Sequence, residues 1–181
     1  MVALVDLAGG FSSIAKAVSA DGSVIVGGSG SNRIEAFRWT QAEGMLGLGF
    51  LAEDDYYTDA TGVSADGSVI VGESFSVNGT VAFRWTQAGG MVSLKDTLIG
   101  AGLDLSDWNL TYTTGVSADG FTIVGYGTNP SGQTEGWVAN LSPEPVPEPL
   151  TILGSMAAIA FATRFERSFS KDKSQEKDPD A

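Results

Sequence analysis

The 181-residue chain has no cysteine and no histidine. Their absence excludes disulfides, thiolate nucleophiles, histidine general bases and nearly every zinc, copper or haem site, so neither a metal nor a cofactor is expected. Any catalysis is left to carboxylates or to Ser and Lys. A chain without cysteine suits every redox compartment, exported ones included, and chooses none of them. Positive charge is also scarce: 10 Lys plus Arg stand against 22 Asp plus Glu, a net charge of −12 that opposes binding to nucleic acid or to an anionic membrane. The amino terminus, MVALVDLAGGFSS, lacks basic residues and carries Asp6 inside its only apolar run, so it does not read as a signal peptide.

What the sequence does have is repetition. SADGSVIVG begins at Ser19 and again at Ser64, and it returns as SADGFTIVG from Ser117, at offsets of 45 and 53 residues. AFRWTQA begins at Ala36 and at Ala82, and GWVANL follows Glu135 as AFRWTQ follows Glu35. A third element, GMLGL from Gly44 and GMVSL from Gly90, has its counterpart in MVALVDL at the start of the chain. VIV is a β-branched run suited to burial on both faces, and AFRWT alternates at period two. Asp-Gly between Val-Ser and Val-Ile-Val supplies the positive φ of a tight hairpin, and turn chemistry is the simpler reading of Asp21, Asp66 and Asp119 than metal binding.

Each unit therefore offers about four strands. The fold expected over residues 1–141 is all-β: three four-stranded repeat units in a propeller-like arrangement, an open arc or a partial propeller. The first strand is placed to complete the last unit, a clasp that would hide an edge. Pairing as two halves of a dimer, or membership of a longer gene product whose reading frame begins upstream, fits the same pattern.

These repeats resemble the HAF-type repeat of bacterial exported proteins, named for a His-Ala-Phe triplet near the AFRW position. Ala36-Phe37 and Ala82-Phe83 match it, with Glu35 and Val81 where the histidine would stand. The resemblance implies blade-like units and leaves the activity open, because one scaffold hosts many functions. The units differ mainly in the loops before SADG, which should cluster on one rim. KDTLIGAG in the second loop reads as a short helix with Leu94, Leu98 and Ile99 apolar, stopped by Gly100 or Gly102. The rim carries Asp54, Asp55, Tyr56, Tyr57, Asp104, Asp107 and Trp108, acids and rings of the kind that take sugar hydroxyls and pyranose faces. A carbohydrate-binding or carbohydrate-cleaving module using these side chains is the alternative to a non-enzymatic structural or adhesive role; solvated loops packed on the sheets are the simpler reading.

After Leu141 the composition changes. Prolines at 143, 145, 147 and 149 make residues 142–149 an extended Pro/Glu linker. An uncharged run follows over 150–163, containing Leu150, Ile152, Leu153, Met156, Ile159 and Phe161, and then Arg164 and Arg167. As a helix its 14 residues span about 21 Å against a hydrocarbon core of about 30 Å. The basic residues behind it fit an N-out, C-in membrane segment, and the mixed-charge tail, residues 166–181, reads as disordered.

Val146-Pro147-Glu148-Pro149, the hydrophobic transmembrane-like helix over 150–165 and the Arg164/Arg167 basic cluster together resemble the PEP-CTERM sorting signal. That resemblance implies an exosortase partner in the membrane, cleavage near the motif, and delivery of the body to the cell surface or the exopolysaccharide matrix.

Overall fold

The computed structural model describes residues 3, 4 and 6–141. The linker, the hydrophobic segment, the sorting motif and the basic cluster lie outside the described residues. Within them the chain forms three antiparallel units. The first contains β1 (Ser12–Val18), β2 (Val24–Gly30), β3 (Ile34–Thr40) and β4 (Gly44–Gly47). The second contains β5 (Tyr57–Val63), β6 (Val69–Ser76), β7 (Gly79–Thr86) and β8 (Gly90–Ser93). The third has β9 (Asn109–Val116), β10 (Thr122–Thr128) and β11 (Thr134–Asn140). One parallel bridge, Ile34 to Tyr57, links the ladders of the first two units, and the third is a sheet of its own.

Register confirms the degenerate third copy. Gly27 pairs with Phe37, Gly72 with Phe83 and Gly125 with Trp137, so Trp137 occupies the repeat's Phe position and Val138 its Arg position. The third unit has three strands rather than four: among the described residues β11 pairs with β10 alone. The described residues before Ser12 form no strand, and Leu7 donates its N–H to Ser29 Oγ at 3.1 Å, so this segment rests on the first unit.

Each SADG turn is closed the same way. Ser64 Oγ donates to Asp66 Oδ1 at 2.6 Å and accepts from the Val69 N–H at 3.0 Å, while Asp66 Oδ1 also accepts from the Ser68 N–H. Ser19 and Asp21 repeat the arrangement, as do Ser117 and Asp119. These bonds favour the ionised acid. The Ser23 amide is the main cause holding Asp21 at about 2, and the Ser64 hydroxyl is the main cause holding Asp66 at about 2. Gly22, Gly67 and Gly120 supply the positive φ, 72° to 77°.

The core lies between units rather than inside them. Val24, Val26, Ala36 and Leu48 of the first unit pack on Ala60, Ile70, Phe83 and Trp85 of the second. On the other face of the second unit, Val69, Val71 and Ala82 pack on Leu110, Ile123 and Ala139 of the third. Alternate residues of the second unit's Val69-Ile70-Val71 strand thus serve opposite neighbours, which is why that run is apolar throughout. The turns join across the same interfaces: the Ala20 N–H donates to Ala65 O at 3.0 Å, and the Ala65 N–H to Ala118 O at 3.0 Å.

The short helix α1 (Leu94–Gly100) starts at Ser93, whose hydroxyl accepts from the Asp96 N–H, and buries Leu94 and Leu98. Ile99, read from sequence as part of its apolar side, is exposed. No helix among the described residues is long and apolar enough to cross a membrane.

Ser64 is fully buried. Replacing it with Ala leaves the buried Val69 N–H without an acceptor, and Ser64→Ala is expected to lower unfolding free energy by about 1–3 kcal/mol. Urea titration should show a lower midpoint at unchanged slope.

Candidate functional site

The acids and rings of the two long loops are held by different partners. Asp55 is buried, and its carboxylate accepts from the Ala52 N–H at 3.0 Å and from Ser74 Oγ at 2.5 Å. Its carbonyl takes the Arg33 Nε at 2.7 Å, and the Arg33 guanidinium lies 3.6 Å from the centre of the Phe50 ring. Asp54 accepts from Asn78 Nδ2 at 3.3 Å, and Tyr56 is exposed. Asp104 accepts from the Ser106 N–H and hydroxyl, which hold its carboxyl below the usual range. Trp108 packs against the core between the second and third units, and Asp107 is exposed. Tyr57 alone of this group reaches a charged cluster, and that cluster lies on strands.

Asp59 on β5 stands opposite Glu73 on β6, and Lys16 approaches from β1 of the first unit. Lys16 is the residue skipped by the bulge between Ala15 and Ala17, a kink that re-aims its side chain. Its Nζ lies 2.6 Å from Asp59 Oδ2, which also accepts from the Tyr57 hydroxyl at 2.6 Å. Asp59 is 3% exposed and Glu73 9% exposed, and among the described residues Asp59 Oδ1 and Glu73 Oε2 have no hydrogen-bond partner. Two buried carboxylates thus stand near one ammonium, which pairs with Asp59.

The result is a carboxyl poised near neutrality. Burial is the main cause pushing Glu73 up to about 7; Lys16 opposes the shift and the Asp59 charge adds to it. Burial and the bond to Asp59 raise the Tyr57 phenol as well. From Tyr57 a row of rings runs through Phe75 (5.0 Å) and Tyr112 (6.0 Å) to Tyr126, stacked on Tyr112 at 4.8 Å. Tyr112 pairs with Tyr126 at the same repeat position as Asp59 with Glu73 and Ile14 with Gly28.

Sequence reasoning counts Asp59 among the acids of the loop before the second SADG, whereas it lies on β5, and it passes over Lys16 and Glu73 because they lie inside strands read as structural. The available signal was a charge at a repeat position that is apolar or glycine in the first unit.

A second polar feature lies at the turn end, where a groove of about 680 Å³ is lined by Arg38, Asp66, Arg84, Trp85, Asp119 and Phe121 among others. Arg38 pairs with Glu43 at 2.8 Å. The repeat places Gly89 where Glu43 stands, and Arg84 Nε is buried without an acceptor among the described residues, its guanidinium pKa lowered by burial.

No family model matches the chain, and no curated protein matches it. Among solved structures, TolB from Acinetobacter baumannii is similar at 18% identity and a TM-score of 0.47, over 69% of this chain and 29% of that one. The chain thus spans less than a third of that structure's length.

Two outcomes are expected. The folded protein holds the Glu73 proton more tightly than the unfolded chain does. Its contribution is therefore full below about pH 4.5 and is lost as pH rises through about 7. Thermal melts at steps between about pH 5 and about pH 8 should show this loss in the wild type and its absence in Glu73→Gln. Gly89 has no positive φ, and a Cβ there meets only the Thr86 hydroxyl, at 3.1 Å. Gly89→Glu should therefore restore the missing pair and add about 0.5–1 kcal/mol at low salt, a gain that disappears in the Arg84→Gln background.

Proposed function

We propose that this chain is an exported, non-enzymatic β-repeat protein whose three units fan out as an open, propeller-like arc. Its carboxyl-terminal segment is a PEP-CTERM sorting signal processed by an exosortase. The hydrophobic helix holds it in the membrane before cleavage, and the body then serves a structural or adhesive role at the cell surface or in the exopolysaccharide matrix.

The observation that carries the scaffold reading is where the polar side chains are used. Asp21, Asp66 and Asp119 close turns, and Asp55 ties its own loop to Ala52 and Ser74. Lys16 and Asp59 bridge two units. These carboxylates are engaged in holding turns, a loop and two units together, as a module built for cohesion requires.

The address rests on VPEP followed by an uncharged run and arginines, an order that fits membrane insertion from behind a stiff spacer. Mass spectrometry of the mature carboxyl terminus in the producing cell tests it. Cleavage near Pro147-Glu148-Pro149 is expected, with Glu148→Ala retaining full-length protein in the membrane fraction. An uncut chain found in the cytosol would overturn the reading.

A further inference from the structure

The two ends of the repeat array are complementary to each other, and we propose that they bind head to tail between two copies of this chain. The third unit of one copy would take the first unit of the next as a fourth unit. The inference is independent of the sorting signal and rests on contacts made twice within the chain.

Every interface between consecutive units has the same parts. The turn alanine of one unit donates its N–H to the turn alanine carbonyl of the next: Ala20 to Ala65, then Ala65 to Ala118, both at 3.0 Å. The turn glycine of the later unit lies on the β-branched residue that opens the VIV strand of the earlier one. A Cβ on Gly67 would strike the Val24 side chain, and one on Gly120 would come within 2.7 Å of Val69 Cγ2. At the ends each part is present without its counterpart. The Ala118 N–H has no acceptor and the Ala20 carbonyl no donor among the described residues. Gly22 has open space where a Cβ would point, and Thr122, the counterpart of Val24 and Val69, is half-buried.

Burial shows the same incompleteness. On the face turned to the following unit, Val26 and Val71 are fully buried, and their counterpart Val124 is 40% exposed. On the face turned to the preceding unit, Ile70 and Ile123 are fully buried, whereas Ile25 is only partly so. Val18 on the first unit, and Tyr126 and Val138 on the third, add exposed apolar surface. These end residues carry no charge. The net charge of −12 opposes association only at long range, where salt screens it.

An occupant is therefore specified by shape and polarity together: an Ala carbonyl beside a positive-φ glycine, with isoleucine and valine around them. The first unit of this chain presents that set. Heterologous contacts of this kind close into rings or extend into filaments, according to the rotation per copy.

A cysteine-free chain makes the test direct, because disulfides form only where cysteines are introduced. Full-length chains carrying Ala20→Cys and Ala118→Cys, with different tags, are mixed in detergent and oxidised mildly. Within one chain, Ala20→Cys with Ala65→Cys serves as the geometric control, since the proposed contact copies that one. A disulfide between the two tagged chains is expected only in the mixture, and it should be lost when the Ala20→Cys chain also carries Gly22→Asn. Asparagine tolerates positive φ while filling the space that Thr122 of the preceding copy would occupy. Circular dichroism should show that this variant keeps its strands. The proposal is overturned if the mixture gives no such disulfide, if each chain crosslinks to itself equally well, or if Gly22→Asn folds and changes nothing.

Discussion

A four-residue turn, used three times, sets the geometry of this protein. In Ser-Ala-Asp-Gly one carboxylate oxygen gathers the hydroxyl and amide that would otherwise be unpaired. That fixes the alanine peptide groups facing sideways, toward the next unit. The glycine serves twice, since its φ is positive and its missing Cβ leaves room for a neighbouring valine. A sheet of three or four strands with apolar residues on both faces is not stable alone, and the turn supplies the register in which such sheets stack. Without the turn, the Val-Ile-Val strands would have partners within a unit and none across it.

Stacking by a common rule still leaves each joint its own chemistry. Between the first and second units an ammonium meets a buried carboxylate, with a second carboxyl beside it close to neutrality. Facing the third unit, the same repeat position holds two stacked tyrosines. The charged joint responds to pH, because burying a second negative charge near one lysine costs more than protonating it. A body assembled this way has one joint whose cohesion depends on proton concentration. For a protein proposed to work outside the cell, where pH is less controlled, that asymmetry gives the first unit a separate response.

The loops were the natural place to seek a ligand, since connections carry function more often than strands do. Here Asp55 and Trp108 are packed inward and Asp104 is engaged in its own turn. The less regular features lie where a repeat element lacks its partner: Arg84 without the glutamate that serves Arg38, and β11 without, among the described residues, the strand that β3 and β7 possess. Comparing one unit with the next distinguishes side chains that complete the scaffold from those left over.

The three units, their strand order, the turn chemistry of Asp21, Asp66 and Asp119, and the placing of GWVANL as a third AFRW strand were all legible in the sequence, because they follow from local propensity and from spacing that recurs. The carboxyl-terminal pattern was legible as well, being a linear order of proline, apolar and basic residues. Only the tertiary structure decided that the core lies between units, and that Lys16 reaches Asp59 across 43 positions of chain. It also decided that Asp55 is buried while its neighbour Tyr56 is exposed. Those outcomes depend on how far one sheet is turned against the next and on which side chains a bulge redirects, and neither is encoded in the alternation of residues along a single strand.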